Sequence, residues 1–285
     1  MTPPTYDDLI RDGARRLREA GISNPKSEAM MLMLHAFGGS HVALISQGSE
    51  PVPKGVEDEF LDATTRRAAR EPVQHIMGYT AFYGLEIRSD GRALIPRIDS
   101  ETVVTAALDR LPKDQPLRLA DLGTGTGCLL AALLRERPET RGVGVEASPE
   151  AARLAGENFE ALGFSGRATV FQGSWADWRG WGEADMIISN PPYIASAVIE
   201  ELEPEVRDHD PLSALDGGAD GLDAYRQIVN LAGAQMKPGA CLIFEIGYDQ
   251  RAAVSELLQA AGFENVADGQ DLGGNDRWVA GWKAR

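Results

Sequence analysis

From Leu117 onward the chain repeats one unit: a short apolar run, a turn rich in glycine or capping residues, then a helical stretch. Leu117-Arg118-Leu119-Ala120 leads into Asp121-Leu122-Gly123-Thr124-Gly125-Thr126-Gly127, with a helix expected over 128–135. A second strand is expected over 143–146, and Ser148-Pro149-Glu150 opens its helix with a cap, a first-turn proline and an acid. Further strands are expected over 168–171, 186–189 and 242–245, with a helix over 222–236 ahead of the last of these. The final stretch, from Gly262-Phe263 to Trp282, reads as two strands around a polar loop at 269–275. Strands that alternate with helices bury both of their faces only in a parallel sheet covered on both sides, and a closing hairpin adds an antiparallel strand.

The first 72 residues have a different period. Thr5 and Asp8 have the spacing of a capping box ahead of Leu9, Ile10 and Leu17. Asn24-Pro25 starts a second helix carrying Ala29, Met30, Leu32, Met33, Leu34 and Phe37, which stops at Gly38-Gly39. A last helix over 55–70 places Val56, Phe60 and Ala63 on one face. Met30, Met31 and Met33 read as core filler in a small helical domain. Between the two parts, the runs 82–88 and 93–95 flank Ser89-Asp90-Gly91, which predicts a β-hairpin turning at Asp-Gly. Asp99 and Glu101 then begin a helix to about Leu111, where negative charge suits the dipole. The expected division is a helical domain over 1–72, a hairpin linker over 73–97 and an α/β domain over 98–285.

Composition excludes several classes. No run approaches the ~18 apolar residues of a membrane span. Met1-Thr2-Pro3-Pro4 and the residues after it lack the basic and apolar regions of a secretory leader, so a cytoplasmic protein is expected. Cys128 and Cys241 are far apart and His35, His41, His75 and His209 are scattered, so neither a disulfide nor a metal site is expected. A net charge of −15 disfavours a nucleic-acid backbone as partner, although Arg66, Arg67 and Arg70 form a local basic group.

Two stretches carry chemistry. The run Met186-Ile187-Ile188-Ser189 ends at Asn190-Pro191-Pro192-Tyr193, where consecutive prolines stiffen the chain and remove ladder donors. Asn190 offers a side-chain carbonyl and Pro191 a backbone carbonyl, and two fixed acceptors suit a planar NH₂ group. The alternative is a structural strand-to-loop turn. Gly123, Gly125 and Gly127 let the backbone approach a nucleotide-like ligand at a helix N-terminus. A dinucleotide fingerprint would need glycine at 128, where this chain has Cys, so the spacing fits S-adenosylmethionine better than NAD. Glu146, at the end of the next strand, is placed for ribose hydroxyls.

Together these motifs resemble the HemK/PrmC family, protein-(glutamine-N5) methyltransferases of peptide chain release factors. Glu71-Pro72-Val73-Gln74-His75-Ile76, Phe82-Tyr83-Gly84-Leu85, Leu94-Ile95-Pro96-Arg97, Asp220-Gly221-Leu222, Phe244-Glu245-Ile246-Gly247 and Asp271-Leu272-Gly273-Gly274 extend the likeness over nearly the whole chain. The resemblance implies a Rossmann-like class I methyltransferase sheet of seven strands, the last antiparallel, behind an N-terminal all-α bundle that helps hold the release factor. It implies that Gly123, Thr124, Gly125, Thr126 and Gly127 cradle S-adenosylmethionine, with Glu146 at the ribose, Trp175 beside the adenine and Asn190 at the transferable methyl. Asn190, Pro191, Pro192 and Tyr193, with Arg97 alongside, would hold the glutamine of the Gly-Gly-Gln motif of class I release factors. The family commonly has Asp where this chain has Glu146, and another residue pattern after Arg97.

On this reading Asn190, Pro191 and Tyr193 carry catalysis in a monomeric enzyme of translation termination, with no metal, membrane or direct nucleic-acid partner. The acids Glu200, Glu201, Glu203, Glu205, Asp208 and Asp210 read either as a solvated helix face or as a complement to a basic loop of the release factor. The rival is a DNA or RNA base (adenine-N6 or guanine-N2) methyltransferase, which shares Asn-Pro-Pro-Tyr.

Overall fold

A computed structural model of the chain describes residues 3–113 and 115–285; the start of the expected helical domain and leader-free N-terminus, Met1-Thr2, lies outside them. The chain forms two compact units, 1–79 with 204–209, and 80–203 with 210–285. Among the described residues no helix is long and apolar enough to cross a membrane.

The first unit contains α1 (Tyr6–Glu19), α2 (Pro25–Phe37), α3 (His41–Ser46), α4 (Lys54–Ala68) and α5 (Val73–Met77). The capping box forms in full: Thr5 accepts from the Asp8 amide, and the Asp8 side chain accepts from that of Thr5. Asn24, by contrast, makes no side-chain cap, and the proline alone marks the start of α2. Leu17, Leu32, Met33, Leu44 and Phe60 are fully buried, whereas Met31 faces outward. Residues Val42 to Ile45 lie in α3, which Ser40 caps.

The three clustered arginines are all paired within this unit. Arg66 bonds Glu71, and Arg67, only 5% exposed, bonds Glu28 and Glu205. Arg70 reaches the other oxygen of Glu205 at 2.6 Å. Burial works against the charge of Glu205, but these hydrogen bonds prevail and hold its carboxyl below the usual range.

The hairpin differs from expectation. Its strands are β1 (Tyr79–Phe82) and β2 (Leu85–Arg88), and the turn is Tyr83-Gly84 rather than Asp90-Gly91. Both turn residues have positive φ, 49° and 69°, the requirement of a two-residue hairpin whose twist matches its strands. Asp90 instead bonds Arg92 through its side chain, and residues 93–95 run as non-strand chain with Ala93 and Ile95 buried. The expected linker therefore holds a helix, a short hairpin and an irregular segment.

The second unit continues with α6 (Ser100–Arg110), β3 (Arg118–Leu122), α7 (Cys128–Glu136), β4 (Arg141–Glu146), α8 (Pro149–Ala161), β5 (Ala168–Gln172) and β6 (Met186–Ser189). Short helical turns follow, among them α9 (Pro204–Arg207), part of the first unit, and α10 (Leu212–Leu215). The chain closes with α11 (Asp223–Gln235), β7 (Cys241–Glu245), α12 (Arg251–Ala260), β8 (Phe263–Gln270) and β9 (Asp276–Lys283). The seven-stranded sheet has the order β5-β4-β3-β6-β7-β9-β8. β5 to β7 run parallel, while β9 pairs antiparallel with both β7 and β8.

One face packs on α6, α7 and α8 through Val103, Leu130, Leu133, Phe159, Ile188 and Ile243. The other packs on α11 and α12 through Tyr225, Ile228, Leu242, Phe244 and Leu258. Strands buried on both faces explain why 186–188 and 241–244 read as unbroken apolar runs. From β3 the chain adds strands first on one side and then on the other. That reversal opens a crevice beyond the strand ends at β3 and β6, where ligands of such sheets bind.

Candidate active site

A cavity of about 330 Å³ lies at that crevice. Its lining includes Gly123, Thr124, Gly125, Thr126, Glu146, Trp175, Asn190, Pro192 and Arg97, so five separated sequence signals meet in one space. Leu94, Ile95 and Pro96 form part of the wall, although the sequence marks them only as a motif match.

Gly123 and Gly125 have φ of +71° and +54°, which side chains tolerate poorly. A Cβ at either would meet nothing nearer than 3.8 Å, so the missing side chains leave cavity space. Gly127 is different. It caps α7, and its Cβ would strike Phe159 at 2.7 Å, so it serves helix packing and does not line the cavity.

Glu146 folds back on this loop, accepting from the Gly125 amide at 3.0 Å and from the Ser148 amide at 2.9 Å. Each carboxylate oxygen retains a lone pair for a further donor. Beneath the loop, Asp121 is 1% exposed; Oδ2 accepts from Thr124 Oγ1 at 2.6 Å, and Oδ1 has no hydrogen-bond partner. Burial pushes this carboxyl up to about 7. Cys128, also at the cavity, is pushed up to about 12 by burial and stays a thiol.

Asn190 follows the last residue of β6, whose Ser189 hydroxyl donates to Leu122 O at 2.6 Å and ties the strand end to β3. The prolines then carry the chain to Tyr193, whose carbonyl accepts from Gln250 Nε2 at 3.0 Å. The same amide donates to Gly221 O at 3.1 Å, while its Oε1 accepts from the Gly247 amide at 3.0 Å and from Tyr225 Oη at 3.3 Å. Gln250 thus uses its whole hydrogen-bonding capacity to lock the Asn-Pro-Pro-Tyr loop against two other turns. Gly221 makes the closest approach: a Cβ there would lie 2.3 Å from Tyr193 O, at φ +74°.

Pro191 and Tyr193 themselves do not line the cavity. The Tyr193 ring packs partly against the α11–α12 core, and burial pushes its phenol up to about 12, so it stays protonated. Arg97 lines the cavity and donates to Asp210 Oδ2 at 2.9 Å. The acidic run is thereby dispersed. Glu205 serves the helical unit, Asp210 holds Arg97, Asp208 pairs with Arg207, and Glu200 and Glu201 are exposed on a 3-10 turn. Gln250 carries no sequence signal. Glu245 does, standing in a strand-end motif, but nothing local assigns it a contact.

The chain matches the family model of the PrmC N-terminal domain over residues 8–78 and that of the methyltransferase small domain over 97–202. A release factor glutamine methyltransferase of Caulobacter vibrioides is 39% identical over 94% of this chain and 93% of its own. Its counterpart in Geobacter sulfurreducens is 40% identical over 93% and 92%. Among solved structures, a methyltransferase from Pyrococcus furiosus shares the fold with a TM-score of 0.53 at 17% identity, covering 71% of this chain and 90% of that one.

Proposed function

The chain belongs to the family of release factor glutamine methyltransferases, and from that premise we propose that its crevice transfers a methyl group from S-adenosylmethionine to the N5 amide nitrogen of the Gly-Gly-Gln glutamine of class I release factors. The observation that carries this reading is the cavity itself, which sets Asn190 in one space with the glycine loop and Glu146. The lining fits the cofactor. Gly123 and Gly125 leave room where side chains would stand, and the Glu146 carboxylate lines the same space. Gly123 to Thr126 would hold the methionine portion, Glu146 the ribose hydroxyls and Trp175 the adenine.

When bound, the cofactor supplies an activated methyl on a sulfonium. The chain's own task is alignment and charge stabilisation. An amide nitrogen is a weak nucleophile because its lone pair is delocalised into the carbonyl. Asn190 Oδ1, at the cavity wall, accepts one of its hydrogens, and the Pro191 carbonyl, outside the lining as it stands, accepts the other once substrate enters, which fixes the amide plane. Their negative dipole ends also face the nitrogen as it gains positive charge, the inverse of an oxyanion hole. Prolines at 191 and 192 keep those acceptors from moving, and Gln250 holds the far side of the loop. No general base is required, since a methylated amide cation is acidic enough for water to take its proton.

The enzyme acts as a cytoplasmic monomer on protein. The two free cysteines support a reducing compartment, and the charge of −15 supports protein over nucleic acid as the substrate. The test is methyl transfer from labelled cofactor to purified release factor, with its Gly-Gly-Gln glutamine intact or changed to alanine. Label on the altered factor, or on nucleic acid in place of protein, overturns the reading. Glu146→Gln is expected to weaken cofactor binding by about 10-fold, the worth of one hydrogen bond to a charged group, with kcat at saturation nearly unchanged. An unaltered Kd by calorimetry would remove Glu146 from the ribose.

A further inference from the structure

We infer that Glu245 is a positioning residue that sets the orientation of the Asn190 side-chain amide, so that Oδ1 and not Nδ2 faces the cavity. This rests on the role proposed for Asn190 above. A primary amide presents an acceptor at one end and a donor at the other, and its two orientations have nearly the same shape. Only one of them can receive a substrate NH₂ group. Something must therefore bind Nδ2.

Sheet register places Glu245 for that task. Ser189 on β6 pairs with Phe244 on β7, so the next residues, Asn190 and Glu245, stand side by side. Side chains at matched positions of neighbouring strands leave the sheet on the same face. Here it is the face covered by α6 and α7, as the burial of Ile188 and Ile243 two residues earlier shows. Glu245 is 1% exposed and lies outside the cavity wall, whereas Asn190 is in it. The side chains of Asn190 and of Ser100, the first residue of α6, lie close enough to lower the affinity of this carboxyl for a proton, and its Oε2 has no hydrogen-bond partner and is open to Asn190. An ionised carboxylate can only accept, so it takes Nδ2–H from Asn190 and leaves Oδ1 for the cavity. The start of α6 and Arg277 of β9 supply positive potential to keep a charge in this buried place.

The arrangement is balanced near neutrality. Burial pushes the Glu245 carboxyl up to about 7, against the Ser100 and Asn190 hydrogen bonds and Arg277. The other groups whose fields reach it are Asp99 ahead of α6, Cys128 of α7, Tyr193 of the substrate loop and Tyr225 of α11. Once protonated, Glu245 becomes a donor that can bond Oδ1 and favour the unproductive orientation. Activity falls as pH drops through about 7 and is regained above it.

Glu245→Gln tests this, because it keeps shape while adding a donor. The expected result is a kcat lowered about 10-fold, the worth of one hydrogen bond to a charged acceptor, with KM for the release factor, cofactor Kd and melting temperature little changed. The acid limb of the kcat profile is expected in the wild type and absent in the variant. In an Asn190→Ala background the same substitution is expected to cost nothing further, since Glu245 acts only through Asn190. A variant with wild-type kcat, a defect that adds in full to that of Asn190→Ala, or a wild-type profile with no acid limb overturns the inference. If Asn190→Ala alone turns over normally, the active-site reading fails as well, so the two failures are told apart.

Discussion

Asn190→Ala is expected to lower kcat for methylation of the release factor by roughly 10²-fold or more, the cost of removing one preorganised polar group at a developing charge. The substitution deletes an acceptor at the cavity wall and leaves the flanking backbone in place. Ser189 still bonds Leu122, and Tyr193 remains held by Gln250. The fold should therefore survive, and cofactor Kd should change far less than kcat. The measurement is single-turnover methyl transfer at saturating cofactor, with Kd determined separately. Near wild-type turnover would remove Asn190 from the chemistry, whereas equal losses in kcat and cofactor binding would make it a cofactor ligand. The Pro191 carbonyl survives every side-chain change, so some residual rate above background is part of the expectation.

The second large effect is one of stability. Arg67→Ala should destabilise the helical unit by about 3 kcal/mol or more, because it strands the nearly buried Glu28 and leaves Glu205 with Arg70 alone. Glu28 and Glu205 are 17% and 19% exposed at the side chain, and Arg67 bonds both. Adding Glu28→Gln and Glu205→Gln to an Arg67→Met background should restore much of the loss, since neutral groups of similar volume remove the repulsion. Urea unfolding of the full chain followed by far-ultraviolet circular dichroism reads both effects. An unchanged midpoint for Arg67→Ala would mean that the pairs are screened and that other contacts hold 204–209 on the helices. The pH dependence has a definite sign. Because the Glu205 carboxyl is held below its usual range, its contribution is present above the ordinary glutamate pKa and is lost as pH falls through the lowered folded value.

Legibility along the chain followed the range of the forces involved. The capping box at Thr5 and Asp8, the proline start of α2 and the apolar strands of the sheet depend on neighbours within a few residues or on burial of both faces, and all were readable. The hairpin was misplaced because Asp90-Gly91 is a strong turn signal, while Tyr83-Gly84 outcompetes it by satisfying positive φ at both turn positions. The acidic run looked uniform in sequence. In space its members have separate duties, Glu205 with Arg67 and Arg70, Asp210 with Arg97.

The sequence by itself determined the parallel sheet, the glycine loop after β3 and the stiff Asn190-Pro191-Pro192 turn after β6, since backbone preference and periodicity act locally. Only the tertiary structure decided that Gly127 packs a helix while Gly123 and Gly125 face the cavity, that Gln250 locks the Tyr193 carbonyl, and that Glu245 stands beside Asn190. Those facts depend on strand order and register, which join residues tens of positions apart. Hydrogen bonds and close contacts between such residues have no counterpart in the spacing of the chain.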